Sequence, residues 1–223
     1  MNLRETISPT AWNELVLGGV RRTFAPGVPL MRQGESSTFA IALTEGTVKI
    51  TQDTIDGRQV PLALRGPGEL LGEMGVLLNE PRSASVWSIT RCVGHTISAP
   101  TFRSLVERCD LHGDIYRRSV TRSLQGERYL RNLLCHAPDV RMARFLAELA
   151  NEVGEPRAGT MIIHMGMDRE ELGFMLKMSR ATASEALRRL KSLKLIEIGR
   201  KTIKVINQVE LESYEPQKMR DVS

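Results

Sequence analysis

The sequence predicts an α+β fold in two parts, strand-rich at the amino end and helical at the carboxyl end. Three observations carry this. Glycine and proline recur at short intervals early on, at Pro26-Gly27, Gly34, Gly46, Asp56-Gly57, Gly66-Pro67-Gly68 and Pro81, with short β-type runs between them. From near Pro100 the turn signals thin and apolar residues recur at helical spacing. Towards the carboxyl end two short helical patterns and a hairpin pattern follow in order, which together describe a winged helix-turn-helix.

Residues 10–17 read as a short leading helix. The runs 39–43 (FAIAL), 47–51 (TVKIT) and 84–89 (ASVWSI) read as strands. Many short strands with regular turns predict an all-β barrel, a sandwich or a jelly roll. A long helix follows, because positions 116, 120, 123, 127, 130, 134 and 137 advance in alternating steps of four and three. They hold Tyr116, Val120, Ser123, Glu127, Leu130, Leu134 and Ala137, with Leu124 and Leu133 flanking the row. Such a seam packs against a partner helix or lies on its own domain's core, and periodicity does not separate the two.

Ala137-Pro138-Asp139 breaks the chain, with Asp139 as the expected N-cap of a helix over 140–152. Residues 154–159 read as a polar loop and 161–165 as a strand. Asp168 caps a helix running to about Lys177, with Glu170 and Glu171 in its first turn, where the helix dipole favours acids. Ser179 caps the next helix, 179–193, whose Ala183, Ala186, Leu187, Leu190 and Leu193 form an apolar stripe. Its other face carries Arg180, Thr182, Arg188, Arg189 and Lys191. Residues 195–198 and 202–206, joined at Gly199-Arg200-Lys201, complete a hairpin. The expected boundaries are 1–110 for the strand-rich domain, 111–137 for the long helix and 138–223 for the winged helix-turn-helix.

Composition excludes several classes. With 41% hydrophobic and 26% charged residues the chain is neither disordered nor collagen-like. No run approaches the roughly 20 apolar residues of a membrane span, and the start lacks a signal-peptide core, so a cytoplasmic location away from membranes is expected. Cys92, Cys109 and Cys135 contain no Cys-x-x-Cys pair and are too few for a four-thiolate cluster. His95, His112, His136 and His164 lack metal-ligand spacing, so no metal is expected. No nucleophile elbow, Walker loop or His-Glu-x-x-His occurs, so no enzyme is expected. The net charge of +5 is unevenly placed. Residues 1–110 carry 11 basic and 11 acidic side chains, whereas residues 111–223 carry 20 and 15. Between 179 and 204, eight basic residues face only Glu185 and Glu197. Charge alone favours a solvated helix face over a polyanion-binding patch; the helix-turn-helix context turns the reading to the patch.

Residues 66–88, GPGELLGEMGVLLNEPRSASVWS, supply what a small phosphodiester needs. Gly72-Glu73 opens a helical turn over 74–78 whose free backbone N–H groups can face an anion. Arg82 offers a planar fork for phosphate oxygens. The Ser83 hydroxyl and the backbone N–H groups of Ser83 and Ala84 complete a cradle, and Glu73 can accept from a ribose hydroxyl.

Two segments carry a resemblance to a known family. The run DREELGFMLKMSRATASEALRRLKSLKLIEIGRKTIKV, from Asp168, resembles the DNA-binding domain of the Crp–Fnr regulators in its Met-Ser-Arg-x-Thr start, its leucine-rich exit and its Gly-Arg-Lys wing. The 66–88 segment resembles the phosphate-binding cassette of cyclic-nucleotide-binding domains, and the likeness as a whole covers roughly residues 20 to 207. It implies an amino-terminal jelly roll that binds cAMP or cGMP as effector through Gly72, Glu73, Arg82, Ser83 and Ala84. It also implies a homodimer built on the long helix, and a palindromic double-stranded DNA operator. Ser179, Arg180, Thr182, Ser184, Glu185 and Lys201 become the DNA-facing residues. RNA polymerase is admitted as a further partner. Two positions depart from the cyclic-AMP receptors of the family. Gly126 and Glu127 stand where those receptors touch the purine with a Thr-Ser pair. Gly126 has no side chain to bond with, while Glu127, acceptor-only when ionised, either joins the ligand site by accepting from a purine amino group or merely interrupts the helix seam. The base therefore stays open between adenine, guanine and neither. Ala181 and Glu185 replace a Glu and an Arg on the recognition helix, so a different half-site is expected. Since many members lack the cassette and sense other ligands, a repurposed or vestigial pocket is the alternative.

Overall fold

The computed structural model describes residues 2–215, in two compact units that meet in sequence between Leu124 and Gln125. In the first, a single 3-10 turn (Leu3–Glu5) precedes helix α1 (Pro9–Leu17). The Ser8 hydroxyl caps α1 by accepting from the Ala11 N–H at 3.1 Å, and Pro9 occupies the first turn, where its missing N–H costs nothing. Strands β1 (Val20–Phe24), β2 (Pro29–Met31), β3 (Phe39–Glu45), β4 (Val48–Asp53) and β5 (Gln59–Arg65) follow. Then come β6 (Leu70–Leu71), helix α2 (Glu73–Leu78), β7 (Ser85–Ser88), β8 (Cys92–Ser98) and helix α3 (Ala99–Arg108). They form two antiparallel four-stranded sheets, ordered β1-β8-β3-β6 and β2-β7-β4-β5. The chain passes back and forth between the sheets, which selects the jelly roll among the three all-β architectures.

Strand β3 shows why the sheets stay together. Side chains alternate faces along a strand. Ile41 and Leu43 therefore enter the space between the sheets with Leu30, Met31, Val48, Leu71, Val86 and Cys92. Ala40 and Ala42 face the opposite way, into a second core with Leu15, Phe102 and Leu105 from the helices. A strand covered on both faces has no use for polar alternation, which is why FAIAL reads as a continuous apolar run.

Helix α4 (His112–Cys135) begins in the first unit and ends in the second, two residues short of the last seam position. Ile115, Asn132 and Leu133 are buried. The seam is not: Tyr116 is 72% and Leu134 69% exposed, with Val120, Leu124 and Leu130 also on the surface. Near its end, the Tyr129 hydroxyl donates to the Met175 carbonyl and its ring stands 6.5 Å from that of Phe145, inside the second unit.

The second unit continues with α5 (Pro138–Val153), β9 (Glu155–Arg157), β10 (Thr160–His164), α6 (Arg169–Met175) and α7 (Arg180–Ser192). It closes with β11 (Ile196–Ile198), β12 (Thr202–Val205) and α8 (Gln208–Glu212). Two sequence expectations change here. Asp139 is not the N-cap of α5; Ala137 takes that place, Pro138 opens the helix, and Asp139 lies buried in the first turn. The stretch 154–159 is not only loop, since Glu155–Arg157 pairs with β10 across a two-residue turn. Ala158 and Gly159 both adopt positive φ there, 46° and 78°, which matches the twist of a tight hairpin. The exposed Glu-Pro-Arg side chains hide that strand from a pattern search, and its proline is tolerated at the sheet edge.

Between α6 and α7 the chain turns back hard on α6. A Cβ at Gly173 would stand 2.7 Å from the Met178 carbonyl oxygen, so only glycine lets the turn close. Lys177, at φ 49°, ends α6 earlier than its polar pattern suggests. Replacing Gly173→Ala is expected to cost about 1–3 kcal/mol by forcing the turn outward. Denaturant unfolding of the full chain measures it, and an unchanged midpoint would show that the turn relaxes freely.

Candidate functional site

The first cluster forms around Gly72, which links β6 to α2 at φ 75°. A Cβ there would lie 2.3 Å from Nη1 of Arg82 and 2.8 Å from the Met31 sulfur. The absent side chain is what lets the Arg82 fork reach the end of β6. Arg82 is 4% exposed; its Nη1 donates to the Gly72 carbonyl at 2.7 Å and its Nη2 to the Phe39 carbonyl. The guanidinium also lies 4.8 Å from the Phe39 ring centre. Its backbone is pinned, with Arg82 N–H donating to the Glu35 carbonyl and Gly34 N–H to the Arg82 carbonyl, both at 2.9 Å. Burial lowers the guanidinium's pKa, and the Glu35 and Glu73 carboxylates oppose that. Just before β7, Ser83 is exposed and Ala84 half-buried.

Glu73 opens α2 and is 6% exposed. Its carboxylate is held by Arg122 of α4, Nη1 to Oε1 at 2.7 Å. The other arm of Arg122 reaches Glu69 at 2.8 Å, and Arg118 pairs with Glu69 from one helical turn earlier. Burial pulls the Arg122 pKa down, but Glu73 and Glu69 more than offset it and leave it raised. Two guanidiniums thus neutralise two buried carboxylates inside the first unit. Sequence reasoning missed Glu69, Arg118 and Arg122. The available signal was a pair of arginines four apart on the side of α4 away from the seam. Gly126 and Glu127 lie on the part of α4 that belongs to the second unit, both exposed.

The second cluster is the helix-turn-helix. Asp168 caps α6 by accepting from Glu170 N–H at 2.8 Å and Glu171 N–H at 2.9 Å, while Glu171 accepts from Asp168 N–H at 3.0 Å. Ser179 caps α7, its hydroxyl accepting from Thr182 N–H at 3.0 Å and lying 2.8 Å from the Thr182 hydroxyl. Ala183, Ala186, Leu187 and Leu190 are buried, which leaves Arg180, Glu185 and Arg188 facing out. The Ser184 hydroxyl turns back onto its own helix, donating to the Arg180 carbonyl at 2.9 Å. Glu185 pairs with Arg188 at 2.6 Å, an exposed contact of small energetic weight. The wing brings Arg200 and Lys201 beside Arg169 and Arg180, around a concavity of about 310 Å³ that Asp168 and Glu170 also line. Sequence spacing separates these cations; the fold gathers them.

A second basic residue of α7 is engaged, with a buried carboxylate. Arg189 Nη1 lies 3.2 Å from Oδ2 of Asp139, which also accepts from the Tyr214 hydroxyl at 3.0 Å. Burial, together with the hydrogen bond to Asp139 and its charge, pushes the Tyr214 phenol up to about 12 against the influence of Arg189. Tyr214 therefore stays a proton donor throughout the neutral range. Cys92 is buried in β8, and burial raises its thiol to about 11, against a hydrogen bond with Thr90, which suits a packing role. Among the described residues no helix is long and apolar enough to cross a membrane.

Comparison with known proteins gives two matches in sequence order. Residues 21–109 match the cyclic nucleotide-binding domain, and residues 140–214 match the Crp-like helix-turn-helix domain. The chain is 26% identical over 165 residues to a CRP-like cAMP-activated global transcriptional regulator of Mycobacterium tuberculosis, covering 74% of each. Its fold is similar to FixK2 from Bradyrhizobium japonicum, with a TM-score of 0.72 at 18% identity over 87% of this chain and 96% of that one. It is also similar to the c-di-GMP responsive global regulator CLP of Xanthomonas campestris, with a TM-score of 0.66 at 22% identity over 90% of this chain and 100% of that one.

The ion cluster has a measurable consequence. Arg122→Met would strand the Glu73 carboxylate and leave Glu69 with one partner. The expected loss lies at the lower end of about 3–5 kcal/mol for a broken buried pair, because solvent still reaches part of the site. Chemical denaturation reads it; an unchanged midpoint would mean that solvent already screens the cluster.

Proposed function

Because the chain belongs to the Crp–Fnr family of transcription regulators, we propose that it is a cyclic-nucleotide-controlled, homodimeric reader of a palindromic operator. The chain is a DNA-binding regulator and not an enzyme. The effector is cAMP or cGMP, held in the jelly roll by Gly72, Glu73, Arg82, Ser83 and Ala84. Domain limits of 1–110, 111–137 and 138–223 assign effector binding, dimerisation and DNA reading in turn. It works in the cytoplasm, with RNA polymerase as the partner where the bound dimer activates.

One observation carries the effector reading: the buried Arg82 fork beside Gly72, with Glu73 next in the chain. A cyclic phosphate offers Arg82 charged acceptors in place of two carbonyls, and a ribose hydroxyl competes with Arg122 for Glu73. That competition gives the ligand a different contact set in two states of α4, without which no coupling exists. The exposed row of Tyr116, Val120, Leu124, Leu130 and Leu134 is covered by the same helix of a second copy. A pocket turned to another ligand, or to none, is the competing reading. It is favoured by the same geometry, since Arg82 and Glu73 already have partners within the chain.

Calorimetry against cAMP, cGMP and c-di-GMP separates the two. Binding of cAMP or cGMP is expected, and Arg82→Ala should weaken it by about 2–5 kcal/mol while leaving the fold intact. Equal binding by the variant would remove Arg82 from the pocket. Failure of both cyclic mononucleotides would leave the repurposed pocket standing.

For the operator, Arg180 reads a guanine edge while Ser179, Thr182 and Lys201 meet phosphates, with half-sites about one helical turn apart. Ser184 and Glu185 lie one helical turn further on, where Glu185 accepts from a cytosine amino group. Arg180→Ala should cost about 1–3 kcal/mol of discrimination at one base pair per half-site. Lys201→Ala should weaken all sequences alike and lower the salt slope by about one unit. Selection from random duplexes tests both: non-palindromic sites, or a motif unchanged by Arg180→Ala, would refute the docking.

A further inference from the structure

We propose that Arg189 is a positioning residue for DNA reading and not a DNA contact: through Asp139 it sets the rotation of α7 against the start of α5. The inference rests on the reading that α7 enters the major groove.

Composition counts Arg189 with the other cations of the recognition helix, but its surroundings differ from theirs. It lies beside the fully buried Leu190 and, although exposed like Arg180 and Arg188, pairs with a buried carboxylate, whereas Arg188 pairs with the exposed Glu185. Its partner Asp139 is 8% exposed, one residue past the proline that opens α5. Three groups converge on that carboxylate. Val140 N–H donates to Oδ1 at 3.0 Å, the hydroxyl of the buried Tyr214 donates to Oδ2 at 3.0 Å, and Arg189 reaches Oδ2 at 3.2 Å. A buried carboxylate is costly unless a cation stays with it. Transfer of Arg189 to a phosphate would leave Asp139 with two neutral donors and no counter-charge.

The contact also does something the apolar stripe cannot. Burial of Ala183, Ala186 and Leu187 is non-directional and tolerates small rotations of α7 about its axis. A charge-assisted hydrogen bond is directional. Arg180 lies nine residues before Arg189, about 13 Å along the helix at 1.5 Å per residue. A small rotation at the anchored end therefore re-aims the Arg180 fork, on which base discrimination depends. Tyr214 closes the third side of Asp139 and ties the chain after α8 to the same point.

The experiment uses the full chain and an operator selected from random duplexes, with affinity followed over a series of salt concentrations and thermal unfolding alongside. Arg189→Met and Asp139→Asn are each expected to weaken operator binding about tenfold, the lower part of what one bidentate arginine contributes. The salt slope should not change, and the double variant should be no weaker than the weaker single one. Tyr214→Phe keeps the ring and should produce a smaller loss in the same direction. A slope lowered by about one unit in Arg189→Met would make Arg189 a phosphate contact and overturn the proposal. So would unchanged or tighter binding by Asp139→Asn, which frees Arg189 for DNA. Normal affinity with a lowered melting temperature would reduce the cluster to fold stability alone, and that too overturns it. If Asp139→Asn does not fold, the half-exposed Arg189 and the conservative Tyr214→Phe still decide the matter. Failure of the unaltered chain to select any operator would sink the DNA reading itself, an outcome visible before any variant is made.

Discussion

Two carboxylates, Glu69 and Glu73, are buried on either side of β6, and their burial is tolerable only because α4 delivers Arg118 and Arg122 to them. Much of the first unit is arranged around that neutralisation. The left-handed Gly72 turns the chain so that Glu73 can open α2 in reach of Arg122. Ile115 buries one turn before Arg118, which fixes the face that α4 presents to the jelly roll. The opposite face of the same helix is then left with its apolar row in solvent. A single constraint, two buried negative charges, therefore decides which side of α4 is available to a second copy.

The charged groups of the cassette are held by the chain itself. Arg82 spends its fork on two backbone carbonyls, and Glu73 is half of an ion pair. An incoming anion would replace neutral acceptors with charged ones at Arg82, a favourable exchange, whereas a donor approaching Glu73 meets a carboxylate already paired through Oε1 with Arg122. The same arginine also holds Glu69, so both buried carboxylates are tied to α4 through one side chain.

The second unit solves a different problem, presenting cations outward from a small core. Ser179 and Asp168 cap the two helices of the turn, Gly173 lets them meet, and the wing folds Arg200 and Lys201 to the same side as Arg180. Arg189 is the exception within that basic group, because the buried Asp139 needs it.

Local chemistry made much of this readable in advance. The glycine and proline punctuation marked the strands, the caps at Ser179 and Asp168 marked two helix starts, and the four-three spacing of α4 marked the row that stands in solvent. Gly72 and Arg82 were legible as neighbours-to-be because the cassette is an ordered local string. What the residues alone could not decide was partner choice. Asp139 looks like a cap because it follows a break, yet Ala137 and Pro138 start the helix and the carboxylate turns inward to Arg189 and Tyr214. The strand at Glu155–Arg157 has no apolar face to announce it, and exists through backbone pairing across Ala158-Gly159. Arg118 and Arg122 are ordinary helix-surface residues by sequence, and become buried counter-charges only when α4 meets Glu69 and Glu73. Periodicity and capping depend on neighbours within a few residues, so sequence by itself determined the starts of α6 and α7, the four-three row of α4 and the strands that carry an apolar run. Ion pairing joined residues 49 to 53 positions apart, and the Tyr214 hydroxyl reached Asp139 across 75, so only the packed chain decided which charges are neutralised inside it and which face outward.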